Sequence, residues 1–97
     1  MIEIKNELDD TTLKVQVIGS IDTVSAPEFE SAVIPALENA DKVVFDFSDL
    51  EIITSAGLRV LLNIHKHIDG NVPIRGAHKE VIEVLDITGF KPFFKLI

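Results

Sequence analysis

The 97-residue sequence contains no cysteine, no tryptophan and no tyrosine. Without cysteine the chain forms no disulfide bonds, and thiolate nucleophiles and cysteine metal sites are excluded as well. All six aromatic residues are phenylalanine, which indicates core packing rather than a platform on which nucleic-acid bases stack. Charged residues interrupt every apolar stretch before it reaches the roughly 18 residues that a membrane-spanning helix needs. We therefore expect no membrane partner.

Acidic residues outnumber basic residues by sixteen to nine, which gives a formal net charge of −7. An acidic surface repels phosphate backbones, so nucleic acid is not expected as a ligand. The first residues, MIEIKNELDD, are acidic where a signal peptide would be basic, which predicts a cytoplasmic protein. Because surfaces of like charge repel one another, we also expect a monomer.

No internal repeat, low-complexity tract or linker divides the chain, which predicts one domain over residues 1–97. Apolar alternation on both sides of Asp9 and Asp10 predicts a β-hairpin. Lys42–Phe47 reads as a buried central strand, and Ser55–Ile68 has helical periodicity. The full order, β-β-α-β-α-β-α-β, predicts an α/β domain with a mixed sheet of about five strands and three or so helices packed on it.

Several residues mark the predicted ends of helices. Ser25 and Glu28 have the spacing of a capping box at the start of the first helix. Pro35 predicts that this helix kinks or ends there, since a proline inside a helix costs about 3 kcal/mol. Asp69–Gly70 is predicted to stop the second helix, and Gly89 is predicted to stop the third.

Ser55 lies at the predicted start of the second helix, in the segment TSAGLRVLL. At 100° per residue, one broad arc of this helix is apolar, and the opposite arc carries polar residues that include Arg59 and Asn63. Ser55 falls at the boundary between the arcs, so we expect its hydroxyl to face solvent. Gly57 is expected to leave the approach to Ser55 uncrowded.

Two interpretations of Ser55 remain open. Either Ser55 or Thr54 is a helix N-cap, which contributes about 1 kcal/mol to stability. Alternatively, Ser55 is a phosphoacceptor, because a phosphate at this position would meet free backbone N–H groups and the positive end of the helix dipole.

Three segments resemble the STAS domain family, and in particular bacterial anti-sigma factor antagonists. VVFDFSDLEIITSAGLRVLL resembles the family signature of a strand, a short serine motif with glycine, and an apolar run. VIGSIDTVSAPEFE resembles the stretch that leads into the first helix, and GNVPIRGAHKEVIEVLDITGFKPFFKLI resembles the closing strand, helix and strand. The resemblance covers nearly the whole chain and implies a single STAS domain.

The resemblance implies a function for Ser55. In anti-sigma factor antagonists, the serine at this position is phosphorylated by a partner anti-sigma factor that is itself a serine kinase. The unmodified antagonist sequesters this partner, the phosphorylated antagonist releases it, and a phosphatase restores the first form. The chain would then be a substrate and binding protein, not an enzyme, and it would need no cofactor because the kinase supplies ATP.

The resemblance also implies which residues surround the site. Asp22 matches an acidic residue near the phosphorylation site, Asp46 matches the acidic residue that ends the third strand, and Gly57 matches the motif glycine. Thr54 stands where many antagonists have aspartate, which makes it a second and less favoured candidate acceptor. The implied partner-binding surface comprises Asp22, Asp46, Thr54, Ala56, Gly57, Arg59 and Asn63.

Two other functions are compatible with the sequence. The chain could be a constitutive subunit of a larger assembly, such as a lipid-transporting ABC system, in which Ser55 is not modified. It could also be a small enzyme or a nucleotide-binding module. In an enzyme, Asp46, Asp49 and Glu51 could supply an acid/base pair, although loop capping by Asp46 and Ser48 and solvation of the other two explain them more simply. No metal site is expected, since His65 and His67 lie two residues apart in the second helix and therefore point about 200° from each other.

Overall fold

The computed structural model describes residues 2–68 and 71–97. The second helix ends at Lys66, and the predicted stop at Asp69–Gly70 lies outside the described residues. The strands are β1 (Ile2–Asp9), β2 (Thr12–Ile21), β3 (Lys42–Asp46), β4 (Leu50–Ile53), β5 (Val72–Arg75) and β6 (Phe94–Leu96). The α-helices are α1 (Ala26–Val33), α2 (Ser55–Lys66) and α3 (Lys79–Ile87), and two short 3-10 helices cover Pro35–Asn39 and Lys91–Phe93.

The sheet is mixed, as the sequence predicts. Five strands lie in the order β1-β2-β3-β5-β6, and β4 pairs with β2 beyond the end of β3. β1 and β2 form the predicted antiparallel hairpin, in which Asp9 pairs with Thr12 and Asp10 has a φ of 57° in the turn. The other strand pairs are parallel. The predicted class is confirmed, with six strands rather than about five.

The additional strand, β4, does not follow from the sequence pattern. It has only four residues, and its side chains do not alternate, because Leu50 and Ile53 are buried and the two residues between them are exposed. Its pairing with β2 also involves a register shift between Gly19 and Ser20. A short segment without alternation is interpreted as a loop. In the structure this segment leads the chain along β2 to the start of α2.

The predicted ends of α1 and α3 are confirmed. α1 ends at Val33, and Pro35 begins the 3-10 helix that follows. Gly89 has a φ of 78°, and the Phe90 N–H donates a 2.9 Å hydrogen bond to the Leu85 carbonyl. This is the Schellman arrangement, in which glycine adopts the left-handed conformation just after a helix.

The core lies between the helices and one face of the sheet. Along β2, for example, Val15 is buried in this core and the neighbouring Lys14 is exposed on the opposite face. Phe29 of α1 contacts Phe45 of β3 with 5.9 Å between ring centroids, and Phe45 contacts Phe47 at 5.3 Å. Within residues 2–68 and 71–97, no helix is long and apolar enough to cross a membrane.

Gly57 allows α2 to lie close to the ends of β2 and β4. A Cβ atom at this position would lie 2.6 Å from Ile21 Cγ2 and 2.8 Å from Ile53 Cγ1. Both isoleucine side chains are buried, so neither can move aside without disturbing the core. Gly57 is itself buried. The expectation that it keeps the approach to Ser55 uncrowded is therefore wrong: it allows contact between the helix and the sheet.

We expect Gly57→Ala to destabilise the fold by about 1–3 kcal/mol, because the overpacking outweighs the roughly 1 kcal/mol that alanine gains over glycine in a helix. Ser55→Ala, two residues earlier and exposed, is the control and should change the free energy of unfolding by less than about 0.5 kcal/mol. Urea unfolding followed by circular dichroism measures both variants. Equal stability of Gly57→Ala and wild type would contradict the close contact.

Candidate functional site

The junction between β4 and α2 is fixed to β2 by a backbone hydrogen bond. The Thr54 N–H donates to the Ile21 carbonyl at 2.9 Å, and the Leu58 N–H then donates to the Thr54 carbonyl at 3.0 Å as the first bond of α2. Thr54 has an extended backbone and occupies the N-cap position, so Ser55 is the first helical residue. The interpretation of Ser55 as the N-cap is therefore wrong. Thr54 occupies that position and makes no side-chain capping hydrogen bond.

Ser55 is exposed and Thr54 is half-buried, which confirms that Ser55 faces solvent. The Thr54 hydroxyl lies 3.4 Å from the Ile21 carbonyl. The N–H groups of Ser55, Ala56 and Gly57 precede the first hydrogen bond of the helix and belong to its positive end. No acidic side chain lies in the first turn of α2. A negative group on Ser55 would therefore be stabilised by the start of the helix.

Asp22 directly follows Ile21 and organises the turn between β2 and α1. Its Oδ1 accepts hydrogen bonds from the Ser25 N–H at 2.9 Å and the Val24 N–H at 3.0 Å. Its own N–H donates to Ser25 Oγ at 2.9 Å, and Ser25 Oγ lies 2.8 Å from the Ser20 carbonyl. We call residues 22–25 the Asp22 turn. It lies beside the Ser55 junction because Thr54 is hydrogen-bonded to Ile21.

The capping box predicted at Ser25 is not formed. Ser25 has helical backbone angles and makes no capping hydrogen bond to α1, because its hydroxyl is bonded to Ser20 and Asp22 instead. Ser25 is 5% exposed, and among the described residues it is the one polar residue that is buried. The hydrogen bonds from the Ser25 backbone and side chain, with that from Val24, hold the pKa of Asp22 below its ordinary value of 3.8.

Asp46 lies in a different part of the sheet. It pairs with Gln16 of β2 and with Arg75 of β5. Asp22 follows Gln16 by six positions along β2 and just past its end, which corresponds to about 20 Å of strand. The structure therefore does not bring Asp46 to the Ser55 junction, although the resemblance grouped the two.

Asp46 caps the loop that follows β3, as the simpler interpretation predicted. Its Oδ1 accepts a 2.6 Å hydrogen bond from the Ser48 hydroxyl and a 3.0 Å bond from the Ser48 N–H. These bonds, helped by the charge of Arg75, lower the pKa of Asp46. Asp46 and Arg75 also line a depression of about 430 Å³ on the face of the sheet opposite the core, together with Lys5, Lys14 and Gln16.

The other predicted surface residues divide between exposed and packed positions. Arg59 is exposed on α2, one turn after Ser55. Asn63 is half-buried, and its Nδ2 lies 3.4 Å from Glu30 Oε2 of α1, so it links the two helices. Ala56 is half-buried, and Gly57 is buried against the sheet. Asp22, Thr54, Ala56 and Arg59 thus remain as the predicted residues that can form a surface around Ser55.

The histidines occupy structural positions. His65 is half-buried and lies against Phe93, with 5.3 Å between ring centroids. His67 Nδ1 lies 2.8 Å from the Asn63 carbonyl, and His78 Nε2 lies 2.6 Å from the Ser48 carbonyl. In the part of the chain that the structure describes, no group of three or more potential ligands could hold a metal ion.

One further residue of the Asp22 turn, Val24, is not among the residues that the sequence pattern predicted for the site. Val24 is 88% exposed, the highest value among the large apolar residues that protrude from the described surface. Turns usually carry glycine, proline, asparagine, aspartate or serine at such positions. The β-branched apolar residue between Asp22 and Ser25 was the signal that the sequence offered.

The fold and the site define a small α/β domain that carries an exposed serine on a fixed junction between a strand and a helix. The chain belongs to the STAS domain family, whose model matches residues 3–97. It is 26% identical over 93 residues to the anti-sigma-B factor antagonist of Bacillus subtilis strain 168, and the match covers 93% of this chain and 84% of the relative.

Two solved proteins are also similar. An anti-sigma factor antagonist from Mycobacterium paratuberculosis superposes with a TM-score of 0.88 at 25% identity, over 99% of this chain and 85% of that chain. SpoIIAA superposes in its unphosphorylated form with a TM-score of 0.83 at 15% identity, over 98% and 88% of the two chains. The phosphorylated form of Bacillus SpoIIAA superposes with a TM-score of 0.74 at 14% identity, over 98% of this chain and 91% of that chain. At these identities, the SpoIIAA comparisons show the fold alone.

We expect the two aspartates to make stability depend on pH below about 4. A carboxyl group whose pKa is lowered by folding stabilises the protein above its unfolded pKa, and this contribution is lost as the pH falls through the folded pKa. Asp22→Asn and Asp46→Asn should each lower Tm near pH 5, and their curves should converge with the wild-type curve as the pH falls through the lowered pKa of each aspartate. Thermal unfolding by circular dichroism measures this. Curves that stay parallel at every pH would contradict it.

Proposed function

We propose that the chain is an anti-sigma factor antagonist, a cytoplasmic protein that sequesters an anti-sigma factor with serine-kinase activity and releases it when Ser55 is phosphorylated. The proposal rests on one observation: Ser55 is exposed at the first position of a helix whose start is hydrogen-bonded to β2. The names of similar proteins support it, since the Bacillus subtilis relative is called an anti-sigma-B factor antagonist and the Mycobacterium paratuberculosis protein an anti-sigma factor antagonist.

Ser55 is a better acceptor than Thr54. A kinase needs the hydroxyl to reach its own catalytic groups in line with the γ-phosphate of ATP. Ser55 is exposed, whereas Thr54 is half-buried and its hydroxyl is directed to the Ile21 carbonyl. Phosphorylation of Thr54 would require that contact to break at the point where α2 is fixed to β2.

The partner would supply the chemistry and this chain the acceptor. Ser55 Oγ attacks the γ-phosphorus of ATP, its proton passes to a base of the kinase, and the bond to the departing ADP breaks. A phosphatase later transfers the phosphoryl group to water and restores the serine. The proposed contribution of the chain is to hold Ser55 at a fixed place on a rigid surface, which reduces the entropy lost in reaching the reactive geometry.

The phosphate would act as a local electrostatic switch. It adds between about 1.5 and 2 negative charges. The N–H groups at the start of α2 stabilise these charges, so phosphorylation does not unfold the helix. The same charges appear beside Asp22, which its hydrogen bonds keep ionised. A partner that fits the unmodified surface would meet an additional bulky anion there, and binding would weaken.

We expect Ser55→Ala to retain the partner and Ser55→Asp to weaken binding at least tenfold, which is about 1.4 kcal/mol. The wild type and both variants are immobilised and exposed to extract from the protein's own cells. A protein retained by Ser55→Ala and lost with Ser55→Asp is then purified, and its affinity is measured by calorimetry. The purified protein must also transfer phosphate from ATP to wild-type Ser55.

Thr11→Asp is the control for a general effect of negative charge. Thr11 is exposed in the β1–β2 turn, at the far end of β2 from the Asp22 turn. The Thr11→Asp variant should therefore bind the partner as tightly as the wild type does. Equal binding by Ser55→Ala and Ser55→Asp would refute the switch. Retention of a transporter component by all variants, without phosphorylation of Ser55, would instead indicate a constitutive subunit.

A further inference from the structure

Val24 is an apolar side chain that the fold leaves in solvent. Its 88% exposure means that folding buries almost none of it, so it contributes little to the stability of the core. Single exposed apolar residues are common on protein surfaces and need no function. Val24 differs because of the structure that holds it and because of its position next to Ser55.

The Asp22 turn holds Val24 in a fixed orientation. The Val24 N–H donates to Asp22 Oδ1, and so does the N–H of Ser25, the residue that follows. Ser25 is buried and bonded in turn to Ser20, and the Ala26 N–H donates to the Asp22 carbonyl at 2.8 Å. A side chain presented by a turn that is already ordered loses little entropy when a partner binds it.

Val24 and Ser55 are both exposed and both follow closely on the hydrogen bond that joins Thr54 to Ile21. Thr54 is hydrogen-bonded to Ile21, Val24 follows Ile21 by three residues, and Ser55 follows Thr54 directly. These connections keep the two Cα atoms within about 20 Å of each other, since each residue spans at most about 3.6 Å. A partner surface of ordinary size, about 800 Å², is wide enough to reach both residues.

We propose that Val24 is an apolar anchor through which the kinase partner recognises the surface that carries Ser55, and that Asp22 acts as a positioning residue that holds this anchor in place. The inference rests on the proposed function and specifies how the partner is recognised. Asp22 and the exposed Glu28 add negative charge beside Val24. The matching partner surface is therefore an apolar pocket with a basic rim, next to the site of phosphoryl transfer.

Val24→Ser tests the anchor without changing the turn. The substitution removes the apolar side chain and keeps the backbone N–H that donates a hydrogen bond to Asp22 Oδ1. The control is Ile87→Ser, because Ile87 is also apolar and 84% exposed. Ile87 is the last residue of α3, near the end of the molecule where Phe90 contacts Phe93 and Phe93 contacts His65 of α2. His65 lies ten residues, or about 15 Å along α2, from Ser55.

The assay follows the initial rate of Ser55 phosphorylation by intact mass, with each full-length protein added to ATP and an extract of the protein's own cells. Circular dichroism first establishes that the variants have the wild-type Tm. We expect Val24→Ser to lower the rate at least tenfold at limiting protein concentration, and Ile87→Ser to match wild type. Raising the Val24→Ser concentration should recover the rate, because the substitution weakens binding and leaves the acceptor intact.

The outcomes separate this inference from the proposed function. Equal rates for wild type and Val24→Ser would overturn the anchor while leaving phosphorylation of Ser55 in place. An equal loss with Val24→Ser and Ile87→Ser would overturn it too, because the effect would not depend on the surface around Ser55. Absence of phosphate on wild-type Ser55 would refute the proposed function itself, and the anchor with it.

Discussion

The parallel pairing of β4 with β2 is the constraint on which the site depends. It places Ile53 beside Ile21, and the Thr54 N–H continues the pairing to the Ile21 carbonyl. Two segments that are distant in sequence, the end of β2 and the start of α2, therefore lie side by side. Gly57 makes the arrangement compact, because any larger residue would separate α2 from the two isoleucines.

The rest of the molecule supports this junction. The core formed by α1, α2 and the sheet fixes the helix, and the hydrogen bonds of Asp22 and Ser25 fix the turn beside it. The result is a surface on which a serine, a carboxylate and an apolar side chain have defined positions. A partner that carries its own ATP and catalytic groups needs nothing more from its substrate than such a surface.

Local chemistry explains which parts of the fold were predictable from the sequence. Apolar alternation predicted the hairpin, Pro35 predicted the end of α1, and Gly89 predicted the end of α3. Each of these features is determined by residues that are close in sequence. β4 was missed because its four residues lack alternation and are held by pairing with a distant strand. No local pattern could have corrected that error.

The site was predicted in part, for the same reason. The exposure of Ser55 follows from helical periodicity, whereas the distance between Asp46 and Asp22 depends on β3 and β4 pairing with different parts of β2. The role of Gly57 depends on contacts with Ile21 and Ile53, which only the three-dimensional arrangement reveals. The hydroxyl of Ser25 satisfied the spacing of a cap but bonds backwards along the chain, to Asp22 and Ser20.

The most direct test of the account is the mass of the protein as it occurs in its own cells. Intact mass spectrometry with fragmentation, before and after phosphatase treatment, shows whether the chain carries phosphate and on which residue. The account predicts one phosphate, on Ser55, in a fraction of the molecules that changes between growth and stress. A chain that is unmodified under both conditions, or that carries its phosphate on another residue, would contradict the central claim.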